Sequence, residues 1–155
     1  MLKELLNCYK VAFKTRFEDF LNLPSLELVE ERDSDEQIEF EGVVSLVGIT
    51  GEKKGRVIFY FSEEFLKMLY RLIYGEEEGL NEMELYAVAA EINNIISGNA
   101  VTLFNNESDK RLFLSPPSIF SGKLSITTPR INSKDLIYKI GDLKIAVSIG
   151  LEGGI

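Results

Sequence analysis

The chain has 155 residues, 45% of them hydrophobic, which suits one globular domain, read as residues 1–155, with a substantial core. Its 25 acidic against 17 basic side chains leave a formal charge of −8, which argues against nucleic acid and anionic membrane surfaces as partners. The lack of histidine and the single Cys8 exclude imidazole acid–base chemistry, a His-ligated metal, a structural zinc site and a disulfide framework.

The N-terminal stretch "MLKELLNCYK" is charged and amphipathic, unlike a signal peptide, and no apolar run reaches the roughly 18 residues of a membrane-spanning helix. A cytoplasmic protein is therefore expected. Leu2, Leu5, Leu6, Tyr9, Ala12, Phe13, Phe17, Phe20 and Leu21 recur at helical spacing, which predicts a helix from residue 2 to about 22, ending before Pro24. The acidic "VEERDSDEQ" reads as a solvated strand end and loop. "FEGVVSLVGIT" and "GRVIFYFS" flank "GEKK" and predict a β-hairpin. Its strands are apolar on both faces, which implies cover on both sides or a subunit contact.

Ser62 is placed to cap a short helix, "EEFLKMLYRLIYG". A longer helix follows, from Asn81 to about Phe104. Asn81 is its predicted N-cap, Glu84 would complete a capping box, and Leu80 with Leu85 would form a hydrophobic staple. Strands are expected near Arg111 to Leu114 and Ser125 to Thr128, then a final hairpin, "DLIYKI" and "LKIAVSIGL", turning at Gly141–Asp142. In its last strand Leu143, Ile145, Val147, Ile149 and Leu151 alternate with small or polar residues, the pattern of a half-buried strand. The predicted class is α+β: a largely antiparallel sheet packed with three main helices.

The long helix carries the candidate site. Leu85, Ala89, Ile92, Ile96 and Leu103 share its core face. At about 100° per residue, Glu84, Ala87, Glu91, Asn94 and Gly98 fall within one narrow stripe elsewhere on the helix. A solvated face favours Lys, Glu, Gln and Arg; a carboxylate and an amide bracketed by Ala87 and Gly98 leave room for a docking partner. The plain structural readings are that Asn93 bonds internally, Asn99 bonds to loop backbone, and Gly98 lets another element approach. The Glu-x-x-Asn spacing is weak alone, because Glu4–Asn7 and Glu78–Asn81 repeat it.

"GLNEMELYAVAAEINNIISGNAVTLF" is similar to the signature helix of the CheC/CheX/FliY family, phosphatases of the chemotaxis response regulator CheY. The family pattern is Glu, two residues, Asn, then a proline after 22 intervening residues; Glu91, Asn94 and Pro117 in "LSPPSIFSG" fit it, whereas Phe104 and Glu30 stand at the proline positions of the other pairs. The single passing motif and the hairpin "LVGITGEKKGRVIFYFS" resemble the CheX branch. The resemblance implies a phosphorylated CheY-like receiver domain as substrate, Mg²⁺ carried by that receiver with no cofactor of the chain's own, and a homodimer paired through its sheets. It implies Asn94 as the residue that orients the attacking water and Glu91 as the partner of a receiver lysine, with Ala87, Gly98, Glu84 and Pro117 as partner-binding positions. Ala87 stands where the family usually has Asp or Ser. A non-catalytic module of the same fold, docking on a receiver, receptor or motor component, is the alternative.

Overall fold

The computed structural model describes residues 1–20, 26–75, 80–128 and 131–152. Helix α1 (Leu2–Phe13) continues into a π-helical turn, Lys14–Phe20. Strands β1 (Glu27–Asp33), β2 (Gln37–Gly51) and β3 (Gly55–Phe61) follow, then α2 (Glu63–Tyr74) and α3 (Glu82–Glu107). The chain ends with β4 (Leu112–Leu114), β5 (Ser118–Thr127), β6 (Asn132–Ile140) and β7 (Leu143–Leu151). All described strand pairs are antiparallel, in the order β1-β6-β7-β3-β2-β4, with β5 also on β2.

The predicted first helix is thus two structures, and its expected end near residue 22 lies outside the described residues. In the π-helical turn Phe17 stacks on Phe13 at 5.6 Å, and Phe13 stacks on Tyr138 of β6 at 4.1 Å, so α1 is pinned to the sheet by aromatic packing. The helix starts and stops follow the sequence: Ser62 Oγ accepts from the Phe65 amide at 3.1 Å, and Gly75 ends α2 with φ 94°.

The three helices cover one face of the sheet. Val43, Val47 and Ile49 of β2, Val57, Phe59 and Phe61 of β3, and Ile145, Val147 and Ile149 of β7 point into this main core. The alternate residues Val44, Ile58 and Tyr60 form a second buried cluster on the opposite face. That cluster is covered by the chain itself. Ile38 and Phe40 of β2 and Leu124 and Ile126 of β5 pack against it, and Phe40 meets Tyr60 edge-on at 5.2 Å. In a straight strand Ile38 would lie about 20 Å from Val44. The β2–β5 ribbon must therefore bend, and it does so where Gly42 (φ 149°) stands opposite Gly122 (φ 109°). The two apolar faces of the predicted hairpin are explained by cover on both sides, because β2 and β3 lie inside the sheet and not at its edge.

One strand follows the sequence reading and one departs from it. The acidic stretch read as a solvated strand end and loop holds the end of β1, exposed along its whole length and held by pairing with β6 and by surface ion pairs such as Lys10–Glu31 at 2.9 Å, and then the loop 34–36 before β2. In β7 the small side is covered rather than half-exposed: Ser148 and Gly150 are buried, and a Cβ at Gly150 would lie 2.6 Å from Ile131 Cδ1.

A Cβ at Gly42 would sit 2.5 Å from the Phe61 carbonyl oxygen, in a backbone region that side chains rarely adopt. Gly42→Ala should cost about 1–3 kcal/mol in urea unfolding, and Gly122→Ala less, since nothing lies within 4 Å of its Cβ position.

Candidate functional site

Helix α3 lies across the helix-covered face of the sheet, and its first turn is set by Asn81, whose Oδ1 accepts from the Glu84 amide at 3.0 Å. The reciprocal bond from the Asn81 amide to the Glu84 carboxylate, which a full capping box needs, does not form among the described residues. Leu85, Val88, Ala89, Ile92, Ile96, Ala100 and Phe104 are buried in the core. The helix runs a turn past the expected Phe104. There the Asn105 side chain bonds both backbone groups of Leu112, at 2.9 and 3.0 Å, and so locks the helix end to β4.

The poor helix formers inside α3 separate into two groups. Asn93 and Ser97 are fully buried. Tyr9 Oη of α1 donates to Ser97 Oγ at 2.7 Å, Ser97 Oγ donates to Asn93 Oδ1 at 2.7 Å, and Asn93 Nδ2 donates to Ser45 O and Oγ of β2 at 3.0 and 3.1 Å. Desolvation by burial pushes the Tyr9 phenol well above its ordinary pKa, partly offset by the bond to Ser97, so the phenol stays a proton donor. Asn99 bonds no loop: it donates to Ile95 O at 2.7 Å and accepts from Arg16 Nη2 at 2.7 Å, tying α3 to the π-helical turn. Leaving one such buried group without a partner costs about 1–3 kcal/mol, so these weak helix formers are accounted for by tertiary bonds.

Asn94 and Gly98 have no such account. Ala87, Glu91 and Asn94 are exposed, and Glu84 and Gly98 are half-buried. The structure brings these five to one side of α3, as the spacing predicts. Neither Glu91 nor Asn94 has a hydrogen-bond or ion-pair partner among the described residues. They lie ~4.5 Å apart along the helix axis and about 60° apart around it. A carboxylate there can accept from a cation, and a carboxamide can both accept from water and donate to an oxyanion. A Cβ at Gly98 would meet nothing within 4 Å, so no element of the described chain requires that glycine. Gly98 opens onto a groove of about 460 Å³ between α1 and α3, with Val11, Thr15 and Thr102 on its walls.

Pro117 lies on another element, at the junction of β4 and β5. Leu114 pairs with Ile49 and Ser118 with Leu46, so Ser115, Pro116 and Pro117 bulge opposite two residues of β2. Prolines suit this position because they have no N–H to give the ladder. Ser115 bridges the gap, its amide donating to Gly48 O at 2.9 Å and its Oγ accepting from Gly48 N at 2.7 Å.

Two features escaped the sequence reading. Met83 is 73% exposed and lies a turn before Ala87 on the same side of α3; the four-residue spacing to Ala87 was the available signal. Tyr9 read only as a core residue of α1, and nothing local marks its bond to Ser97, 88 positions away.

The family model for the chemotaxis phosphatase CheX matches residues 43–140, most of the sheet and all of α3. No curated protein matches the chain in sequence. Among solved structures, a CheC-like superfamily protein from Shewanella sp. PV-4 superposes with TM-score 0.86 at 18% identity, over 99% of this chain and 100% of that one. Chemotaxis protein CheX from Vibrio vulnificus gives 0.83 at 22%, over 96% and 99%. The Borrelia burgdorferi structure of a CheX–CheY–BeF₃–Mg²⁺ complex gives 0.78 at 20%, over 98% and 97%. At these identities the superpositions establish a shared fold.

With open space at its Cβ position, Gly98→Ala should raise stability by up to about 1 kcal/mol, read as a higher Tm or urea midpoint. A lower midpoint would mean that the glycine serves the chain's own packing.

Proposed function

Because the chain belongs to the CheX family of chemotaxis phosphatases, we propose that it hydrolyses the aspartyl phosphate of a CheY-like receiver domain. The observation that carries this reading is the exposed Glu91–Asn94 pair, which has no partner among the described residues. The Borrelia CheX complex contains CheY with BeF₃, whose beryllium and fluorines stand in for a phosphoryl group, and Mg²⁺. By analogy, Mg²⁺ arrives here with the receiver, and this chain brings no metal of its own.

Water attacks phosphorus, the bond from phosphorus to the aspartyl oxygen breaks, and inorganic phosphate and a free carboxylate leave. Such a transfer asks little covalent chemistry of the protein and much positioning. Asn94 is the catalytic residue in this proposal: its Oδ1 accepts from the attacking water and its Nδ2 donates to a phosphoryl oxygen. Being neutral, it does not repel the dianion. Glu91 would repel it, so its role is to pair with the receiver's lysine ammonium and fix the register of α3 against the phosphoryl site. Ala87 and Gly98 let the receiver's backbone approach, Met83 offers it an apolar contact, and Glu84 borders the docking surface.

Ala87, in place of the family's usual Asp or Ser, favours the second reading, a module that docks without catalysis. The two residues of the pair separate these readings. Asn94→Ala should cut receiver dephosphorylation by on the order of 10²-fold while retaining most binding. Glu91→Ala should weaken binding and turnover together. Asn7→Ala, an exposed change on α1, should alter neither. Equal turnover by Asn94→Ala and the parent protein would sink the catalytic assignment.

We also propose that the protein pairs with a second copy along β5. This strand has ten residues, one of them charged (Lys123), and its outer edge pairs with no strand among the described residues. Phe120, 49% exposed, stands on it. A long, weakly charged edge invites antiparallel pairing. Light scattering at roughly tens of micromolar, a modest-affinity range, should give a dimer mass, and Phe120→Glu should lower it; a monomer in both would reject the pairing.

A further inference from the structure

Asn93 lies between Glu91 and Asn94 in sequence, yet it faces the core, and the proposed reaction does not touch it. We propose that the chain Tyr9–Ser97–Asn93–Ser45 is a positioning device: it fixes the rotation of α3 about its own axis and so aims Asn94 and Glu91 at the receiver. The inference rests on the phosphatase reading of that pair.

The apolar contacts of α3 cannot set this angle sharply. Leu85, Val88, Ile92, Ile96 and Phe104 form a wide buried arc, and burial is non-directional. The hydrogen bonds are directional. They run at 2.7–3.1 Å from α1 through α3 to β2, and both ends of the Asn93 amide are engaged. Each donor in the chain has a defined acceptor, so a turn of the helix breaks several bonds at once. The same device, a lone buried Asn, specifies register in coiled coils.

The lever is short. Asn93 and Asn94 are adjacent on one rigid helix, so rotation of one is rotation of the other. On a helix about 10–12 Å across, a turn of about 10° moves a side-chain tip by about 1 Å. A misplacement of about 1 Å can cost on the order of 10²-fold in rate.

The test compares Ser97→Thr with Ser97→Val, which add the same bulk and differ in keeping or losing the hydroxyl. Saturated single-turnover rates on a phosphorylated CheY-like receiver should differ by on the order of 10-fold or more in favour of Thr. Affinity for the beryllofluoride-loaded receiver should change less than the rate, since the long Glu91 side chain can follow its lysine through a shift of about 1 Å whereas the attack geometry at Asn94 cannot. Tyr9→Phe, which removes the first donor without changing shape, should follow Val and serves if neither Ser97 variant folds. Equal saturated rates in Thr and Val, or a Tyr9→Phe rate equal to the parent's, would overturn the inference. If the parent itself shows no turnover, the phosphatase reading fails, and NMR decides the positioning separately. The Asn94 side-chain amide should give one sharp set of signals in the parent and in Ser97→Thr, and broadened or multiple sets in Ser97→Val and Tyr9→Phe. One sharp set in all of them would overturn it.

Discussion

The architecture turns on a carboxamide buried beneath α3 with both its ends bonded. Asn93 accepts a hydrogen bond from Ser97 and donates two to Ser45, and through Tyr9 the same chain reaches α1. An apolar residue would have packed there without choosing an orientation. The amide makes one orientation of α3 much better than its neighbours, because a buried amide left unpaired forfeits about 1–3 kcal/mol per group. The exposed side of the same helix inherits that orientation. What makes α3 a poor helix by propensity therefore makes it a well-aimed one.

The sheet supplies the frame. It has to bury two apolar faces, and three helices are available for one of them. The other is closed by folding the β2–β5 ribbon back at Gly42 and Gly122, so that Phe40 reaches Tyr60 and Leu124 and Ile126 cover Val44 and Ile58. The bend lies beside the Ser45 pairing site, so the strand that receives Asn93 is held from both sides. Tyr60 is buried in the second cluster, and that burial pushes its phenol up to about 12, with the Arg56 cation opposing the shift.

Much of this was legible in the sequence, because the deciding signals were local. Ser62 and Asn81 mark helix starts by a bond three residues long, and the alternation in β7 and the Gly141–Asp142 turn need only neighbours. The stripe was legible because Glu91, Asn94 and Gly98 are fixed on one side by helical geometry alone. The rest depended on distance. The acidic stretch reads as an exposed strand end and loop, but its composition does not say that β1 pairs with β6, far along the chain. The single long helix predicted at the N-terminus passes into a π-helical turn where Phe13 and Phe17 stack in the core and Arg16 reaches Asn99. The spacing that singled out Pro117 gave no hint that its visible role is to interrupt a strand. Gly98 could have been a packing glycine, and its open surroundings required coordinates to see.

In the proposed reading, Asn94 faces the receiver's phosphoryl group and Glu91 its lysine. The most direct measurement is the structure of this chain bound to a beryllofluoride-activated, Mg²⁺-loaded CheY-like receiver. The account predicts Asn94 within hydrogen-bond distance, about 2.7–3.2 Å, of a fluorine or of the water in line with beryllium, and the Glu91 carboxylate on the receiver's lysine. A complex in which the Glu91–Asn94 side of α3 faces solvent, or in which the receiver docks elsewhere on the chain, would contradict it.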